Sequence, residues 1–210
     1  MTIKNSKILI TGGAGFIGSH TAEELLHGNN EIILYDSFRR NSLDYMDNLP
    51  TNIHVIQGDV LDSSNLKKYT QDVDYVLHLA SVAGIDTVTK SPVSTMKINL
   101  IGTYNLLESL VMAGIDIKRL LFTSTSEVYG PRVYLGKEED LTTQGPVSEP
   151  RWIYATSKLA SEHLIQSYHS EFGIPTTIVR LFNVYGPRQT GESAMHNFVV
   201  AALRDKPLMI

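Results

Sequence analysis

Four side chains of the sequence have the chemistry to deprotonate an alcohol and to hold the oxygen that results. Tyr154 and Lys158 are four residues apart, so in a helix they lie on one face. Thr125 lies just after an earlier apolar run, where its hydroxyl could hold the same oxygen, and Glu127 is two residues further on. We predict that Thr125, Glu127, Tyr154 and Lys158 are catalytic, with Tyr154 as the base.

Tyr154 needs help to act as a base near neutral pH. The pKa of a free phenol is near 10, so it must fall by about 3, which is about 4 kcal/mol of preferential phenolate stabilisation. A cationic Lys158 is one source of it. Each of these residues also has a simpler interpretation. Tyr154 and Lys158 could be an exposed pair on a helix, Thr125 a hydroxyl that caps backbone, and Glu127 a solvated carboxylate. The predicted helices and strands around them decide between the two interpretations.

Short apolar runs alternate with helix-length segments along the chain. This alternation is typical of a parallel sheet with helices on both faces. We therefore predict an α/β fold with a doubly wound parallel sheet of the Rossmann type. The predicted strands are Lys7–Thr11, Glu31–Tyr35, Ile53–Gln57, Asp74–Leu79, Arg119–Thr123 and Thr176–Leu181.

Two long helices are marked by residues at their ends. One should begin with Ser91 as its cap and Pro92 in the first helical position, and it should stop at Gly114. The other should run from Trp152 to about Phe172 and end at the glycine that follows. This second helix carries the predicted base and its ammonium.

A glycine-rich segment, Thr11–Gly18, follows the first predicted strand and opens a helix. Glycines at such a turn let a pyrophosphate approach the backbone N–H groups at the positive end of the helix. The pattern alone is weak, but its position between strand and helix makes it specific. We predict a dinucleotide site there, formed by Gly12, Gly15, Phe16, Ile17 and Gly18.

Asp36 ends the second predicted strand, eighteen residues beyond Gly18, where a carboxylate can accept both ribose hydroxyls. It would repel the extra phosphate of NADP, which favours NAD as the cofactor. Arg39 and Arg40 follow closely and keep NADP open as an alternative. The simpler interpretation of Asp36 is a turn residue.

The ends of two further strands should complete the cofactor site, because ligands bind at the carboxyl ends of parallel strands. Asp59 and Val60 are expected near the adenine. Leu79, Ala80 and Ser81 are expected beneath the pyrophosphate and the nicotinamide ribose. His78 lies within the apolar strand, so we interpret it as a core residue without a catalytic role.

The chain is expected to divide into two unequal parts. Residues 1–180 are predicted to form the NAD-binding Rossmann domain and residues 181–210 the start of a substrate-binding region. The last residues, Asp205–Ile210, stop where a new apolar strand begins, so the sequence looks truncated and most of the substrate-binding region is expected to be missing. The polar stretch Pro131–Pro150 is predicted to be a surface loop near the active site.

Composition excludes several classes of function. The net charge of −4 and the pI of about 6.0 argue against a nucleic-acid partner. The sequence has no cysteine, which excludes disulfides, thiolate nucleophiles and thiolate-bound metals, and we predict no metal site. No apolar run is long enough to span a membrane or to serve as a signal peptide, so the predicted compartment is the cytoplasm.

These motifs together resemble the extended short-chain dehydrogenase/reductase family, specifically its NAD-dependent nucleotide-sugar epimerases, dehydratases and decarboxylases. The resemblance covers the whole sequence. It implies that Asn99 supports the active-site helix beside the cofactor and that Ser126, Asn183 and Arg188 contact the nucleotide sugar, most simply a UDP-sugar. It also implies a homodimer formed through the two long helices. The matching positions are Thr11–Gly18, Asp36, Asp59, Val60, Leu79–Ser81, Asn99, Thr125, Tyr154, Lys158 and Arg180–Arg188.

Within this family, oxidation of the sugar to a 4-keto intermediate can lead to epimerisation, decarboxylation or dehydration. Glu127 is superfluous for simple epimerisation, and the segment around it resembles decarboxylases that act on UDP-glucuronate. Dehydratases usually carry an aspartate where this chain has Ser126, whereas Arg180–Arg188 is more like the epimerases. The sequence therefore leans towards a decarboxylase and leaves the epimerase and the dehydratase open.

Two other functions are compatible with the same motifs. A non-catalytic NAD-binding sensor or scaffold would bind the cofactor without chemistry, and replacement of Tyr154 by Phe would leave its function unchanged. A simple alcohol dehydrogenase would accumulate reduced cofactor during turnover.

Overall fold

The computed structural model describes residues 2–45, 48–114, 116–131, 134–190 and 193–208. In these ranges the strands form one parallel sheet of order β3-β2-β1-β4-β5-β6, which confirms the predicted doubly wound fold. The strands are β1 (Lys7–Thr11), β2 (Glu31–Asp36), β3 (Ile53–Gln57), β4 (Tyr75–His78), β5 (Arg119–Thr125) and β6 (Thr176–Leu181). The helices are α1 (Phe16–Leu26), α2 (Ser63–Leu66), α3 (Ile85–Lys90), α4 (Pro92–Met96), α5 (Gly102–Ala113), α6 (Ile153–Phe172) and α7 (Ala194–Leu203).

The six predicted strands are confirmed, with ends that differ by at most two residues. The largest change is in β5, which continues two residues beyond the predicted end, because Thr125 still pairs with Leu181 of β6. Thr125 is therefore the last residue of its strand. This position brings the hydroxyl to the carboxyl-end edge of the sheet.

Alternating residues of the central strand pack against helices on opposite faces of the sheet. Leu9 joins a cluster with Leu106 of α5 and Ile165 of α6. Ile8 and Ile10 join a second cluster that contains Ala22 of α1. The sheet is thus buried on both sides, which explains why its strands are near-continuous apolar runs.

The helix predicted between Ser91 and Gly114 is present, but it consists of α4, a π-helical segment at Lys97–Ile101, and α5. Ser91 is its N-cap and Pro92 its first residue, as predicted, but the Ser91 side chain makes no cap hydrogen bond. Ser91 instead joins α3 to α4 through its backbone: its N–H donates to the Thr87 carbonyl at 3.0 Å and its carbonyl accepts from Thr95 N–H at 3.0 Å.

The second long helix is confirmed as α6. It begins at Ile153, after a 3₁₀ turn at Pro150–Trp152, and ends at Gly173 in the left-handed conformation. The surface loop predicted over Pro131–Pro150 contains no strand or longer helix in its described part, and Arg132 and Val133 lie outside the described residues. Thr143 ties this loop to the 3₁₀ turn that follows β5, since its N–H donates to the Val128 carbonyl at 3.1 Å.

No helix among the described residues combines the length and the apolar character needed to cross a bilayer.

The domain boundary after residue 180 stays a prediction.

We expect Gly12→Ala to destabilise the fold more than Gly114→Ala. Both glycines have positive φ, +72° and +61°, so either substitution costs about 1–2 kcal/mol of backbone strain. A Cβ at Gly12 would also lie 2.6 Å from the Ala80 nitrogen, whereas one at Gly114 would have no heavy atom within 4 Å. Overlap of this kind adds about 1–3 kcal/mol. Equal free energies of unfolding for the two variants, measured by denaturant titration, would contradict this expectation.

Candidate active site

A cavity of about 1270 Å³ lies at the carboxyl ends of the strands. It spans the point between β1 and β4 where the strand order reverses, which is where open α/β sheets bind ligands. Its walls include the predicted cofactor residues Gly12, Gly15, Phe16, Ile17, Gly18, Asp36, Asp59, Val60, Leu79, Ala80 and Ser81, and the predicted catalytic and substrate residues Thr125, Ser126, Glu127, Tyr154, Lys158 and Asn183.

The glycine turn leaves the start of α1 open to the cavity. Gly12 packs directly against Leu79 and Ala80, and a Cβ at Gly18 would lie 2.4 Å from the Gly12 carbonyl oxygen. Gly15 is the N-cap, no side chain caps the helix, and its first turn has no acidic residue. The N–H groups at the start of α1, which have no side-chain cap in the described part of the chain, are therefore suited to bind an anion.

Asp36 both binds the backbone of the glycine turn and lines the cavity. Its carboxylate accepts hydrogen bonds from Ala14 N–H at 3.0 Å and Phe38 N–H at 2.8 Å, while it also lines the cavity. Burial raises the pKa of this carboxyl, and the backbone hydrogen bonds oppose the rise. Asp36 thus holds the glycine turn against β2, and Arg39 and Arg40 line the cavity beside it.

Two hydroxyl side chains lie close to Tyr154. Ser81, after β4, and Thr125, at the end of β5, both act on its pKa through hydrogen bonding. Burial and the nearby negative charge of Glu127 raise the pKa of Tyr154 to about 12, and the two hydrogen bonds lower it only in part. The lowering that a general base requires is therefore not provided by the groups that act on Tyr154 in this structure.

Lys158 is enclosed beneath Tyr154. It is 2 % exposed, and its Nζ donates to the Thr123 carbonyl at 2.7 Å and lies 4.6 Å from the centre of the Phe122 ring. Burial lowers the pKa of Lys158 to about 7, and the charge of Glu162 opposes this. The charge on this lysine is therefore sensitive to its neighbours near neutral pH.

Glu127 lies on the 3₁₀ turn Ser126–Tyr129 that follows β5. The Thr125 hydroxyl caps this turn by accepting a hydrogen bond from Glu127 N–H at 3.2 Å. Thr125 therefore ends β5 and also fixes the start of the turn that carries Glu127. Glu127 is half-buried, and burial raises its pKa against the effect of Arg151. A carboxyl with a raised pKa beside a phenol can take part in proton transfer.

Asn99 and Arg188 are not among the residues that line the cavity. Asn99 is buried in the π-helical segment, where its Oδ1 accepts from Val82 N–H at 2.8 Å and its Nδ2 donates to Ser157 Oγ at 3.0 Å. It connects the end of β4 to α6, as a supporting residue would. This places it behind the cofactor site rather than in its wall.

Arg188 is engaged with α1. Its guanidinium donates to both carboxylate oxygens of Glu23, one of them at 2.8 Å, and its NH2 lies 2.8 Å from His20 Nδ1. This arrangement fastens the segment after β6 to the helix that follows the glycine turn. The structure therefore gives no support to the predicted contact between Arg188 and a substrate, which stays a prediction.

His78 is a core residue, as predicted. It is 1 % exposed, and its two ring nitrogens lie 2.6 Å from Thr11 Oγ1 and 3.0 Å from Thr103 Oγ1. Burial, helped by the charge of Lys158, lowers the pKa of His78 to about 3, so the ring is neutral.

Two residues of the cavity wall were missed by the sequence analysis. Ser124 Oγ is buried and has no hydrogen-bond partner among the described residues, so it is available to a ligand. Arg151 lies three residues before the predicted base and brings a positive charge towards Glu127. The position of Ser124 in the hydroxyl-rich run Thr123–Ser126 could have predicted its place in the wall. For Arg151, the spacing of three residues from Tyr154 could have done so.

Residues 8–209 match the model of a family described as the NAD dependent epimerase/dehydratase family. The chain belongs to this family. The match confirms the resemblance inferred from the glycine turn and the residues around Tyr154.

Relatives in this family are similar along nearly the whole chain. A UDP-N-acetyl-alpha-D-glucosaminuronate decarboxylase of Bacillus cytotoxicus is 37% identical over 207 residues, which is 97% of this chain and 63% of the relative. UDP-glucuronic acid decarboxylase 6 of Arabidopsis thaliana is 37% identical over 210 residues, 98% of this chain and 59% of the relative. The chain thus spans about six tenths of the length of these proteins.

A solved structure of the same family has a closely similar fold. UDP-glucuronic acid 4-epimerase from Bacillus cereus, in complex with UDP-glucuronic acid and NAD, has a TM-score of 0.85 and 35% identity. The match covers 97% of this chain and 65% of that one.

We expect Glu127→Gln to lower the pKa of Tyr154. The negative charge of Glu127 makes the phenolate less favourable, so its removal should move the pKa below about 12. Ultraviolet titration of tyrosinate, with the curve of Tyr154→Phe subtracted, measures this pKa directly. The exposed Glu139→Gln is the matched control. A Tyr154 titration that is the same in both variants would exclude the proposed interaction.

Proposed function

We propose that the chain is the NAD-binding, catalytic part of an enzyme that acts on a UDP-linked sugar through a 4-keto intermediate, with decarboxylation of a UDP-hexuronate as the favoured outcome. The observation that carries the proposal is that Tyr154, Thr125 and the open glycine turn line one cavity, where Thr125 is near enough to act on the pKa of Tyr154. The names of the relatives support the class of substrate.

NAD fits the residues present. The N–H groups at the start of α1 suit the pyrophosphate, and Asp36 suits the adenosine ribose. The Ser124 hydroxyl, which has no hydrogen-bond partner within the described ranges, adds a polar group to the cavity wall. When bound, NAD supplies the hydride acceptor for oxidation of a sugar carbon, and its positive charge offsets the high pKa of Tyr154.

The residues around the sugar hydroxyl have separate tasks. Thr125 holds the hydroxyl oxygen, and Tyr154 accepts its proton. Lys158, as an ammonium, favours the phenolate form of Tyr154. Glu127 is close enough to Tyr154 to shift its pKa, so it is in place to move a second proton or to orient the group at C6.

The carboxylate at C6 distinguishes the outcomes. A ketone at C4 labilises a carboxylate beta to it, so a bound UDP-hexuronate can lose carbon dioxide, which would make the enzyme a lyase. Reduction of the ketone on its other face would instead make it a 4-epimerase, an isomerase, as the Bacillus cereus relative is named. Loss of water would make it a dehydratase. Glu127 and the two decarboxylase relatives favour the first outcome.

Turnover of candidate sugars tests the proposal. The full-length protein is incubated with NAD and UDP-glucuronate, UDP-N-acetylglucosaminuronate or UDP-glucose, and the products are identified by mass spectrometry. We expect loss of carbon dioxide from a hexuronate and no net reduced cofactor, and we expect Tyr154→Phe to lower kcat by at least about 100-fold. An isobaric product would identify the epimerase and loss of water the dehydratase.

Other outcomes would overturn the enzymatic proposal. NAD binding by calorimetry without turnover of any nucleotide sugar would identify a sensor or scaffold. Steady accumulation of reduced cofactor would identify a simple dehydrogenase. The cytoplasm stays the expected compartment on the sequence argument alone.

We also propose that the chain forms a homodimer through α5 and α6. Ile101, Tyr104 and Met112 form an exposed stripe at helical spacing, and Phe172 of α6 is also exposed. The two helices are joined by a hydrogen bond from the Tyr168 hydroxyl to the Glu108 carboxylate. An exposed apolar face of this kind on paired helices is suited to burial against a second copy.

Charge on this stripe should prevent association. We expect the full-length protein to run as a dimer in light scattering and Tyr104→Glu to be a monomer, because burial of a carboxylate without a partner is unfavourable. Leu141→Glu, on an exposed apolar side chain of the loop, is the control and should remain dimeric. A monomeric parent protein would refute the proposed interface.

A further inference from the structure

Two oppositely charged residues are buried one turn apart on α6. Lys158 is 2 % exposed and Glu162 is 6 % exposed, and the spacing of four residues places them on the same face of the helix. A buried ammonium is unfavourable unless it has a compensating charge. The direct contact of Lys158 Nζ is to a backbone carbonyl, that of Thr123.

Glu162 is held by Arg180 from the end of β6. The guanidinium NH2 lies 2.8 Å from Glu162 Oε2, and Nε lies 3.1 Å from Oε1, which is a bidentate pair. Arg180 NH1 donates to the Glu138 carbonyl at 3.0 Å, and the guanidinium lies 4.8 Å from the centre of the Tyr129 ring. The position of the Glu162 carboxylate is therefore fixed by the strand and loops around it.

Among the described residues, the other groups identified around Lys158 do not provide a negative charge. His78 on β4 is neutral, Phe122 on β5 presents a ring, and Tyr154 on α6 is protonated at neutral pH in the absence of a cofactor. Glu127, on the turn after β5, acts on Tyr154. Glu162 is the carboxylate whose charge acts on Lys158, with Arg180 on its far side.

We propose that Glu162 is a positioning residue that keeps Lys158 in its ammonium form near neutral pH, and that Arg180 holds the Glu162 carboxylate where it can do so. The proposal rests on the proposed function only in the use that Tyr154 makes of this charge. Arg180 is partly exposed and its charge is screened by solvent, so the pair does not cancel the effect of Glu162 on the more deeply buried lysine. The salt bridge thus serves the active site and not only the packing of β6 on α6.

The charge of Lys158 can be measured without turnover. In the isotope-labelled full-length protein, the side-chain carbon and nitrogen signals of Lys158 are assigned by their loss in Lys158→Met and followed against pH by NMR. We expect Glu162→Gln to lower the pKa of Lys158 by about 1. The ratio of ammonium to amine is then about tenfold smaller at any given pH. Glu171→Gln, at the exposed end of the same helix, should leave it unchanged.

A second variant covers the case in which Glu162→Gln leaves the Arg180 guanidinium without its carboxylate and fails to fold. Glu162→Gln combined with Arg180→Met removes the whole pair and leaves no unpaired charge. The Lys158 pKa should fall in this double variant as well. The single variant Glu162→Asp keeps a carboxylate, so its Lys158 pKa should lie closer to that of the parent protein. A Lys158 titration that matches the parent protein in the double variant would overturn the proposal.

Kinetics then separate a positioning role from a structural one. In Glu162→Gln the alkaline limb of kcat against pH should move to lower pH with KM unchanged, because the ammonium is lost earlier. A uniform loss of kcat at every pH would mean that Glu162 is only structural. If the parent protein turns over no nucleotide sugar, the proposed function fails, while the NMR titration still decides the role of Glu162.

Discussion

The placement of Tyr154, Ser81 and Thr125 in one cavity wall requires three separate elements to begin or end at the same edge of the sheet. Ser81 follows β4, Thr125 is the last residue of β5, and Tyr154 is in the first turn of α6. Parallel strands in register bring the first two together, and the Asn99 side chain ties the loop after β4 to α6. The rest of the fold can be understood as the support for this one meeting point.

The cost of this arrangement is electrostatic. The burial of Tyr154 and Lys158 disfavours the charged form of each, which is why the pKa of Tyr154 rises and that of Lys158 falls. Both shifts oppose a phenolate stabilised by an ammonium. The catalysis proposed for these residues thus depends on charges from outside the pair, either from the salt bridge behind Lys158 or from a bound cofactor.

Much of the fold was predictable because its determinants are local. Strands buried on both faces appear as continuous apolar runs, and the glycine turn, Gly114 and Gly173 mark ends that the backbone requires. The π-helical segment was not predictable, since it contains Asn99, whose partners are at Val82 and Ser157. The direction of the Tyr154 pKa and the pairing of Arg188 with Glu23 depend in the same way on residues distant in sequence.

The attachment of Arg188 to α1 joins positions 165 residues apart. Contacts of such wide sequence separation close only after the intervening chain has been arranged, because the loss of loop entropy must be offset first. The helix that opens the nucleotide pocket should therefore acquire its final restraint late in folding. During synthesis on the ribosome, the glycine turn is made long before Arg188, so the contact that stabilises the helix after this turn can form only near the end of the described part of the chain.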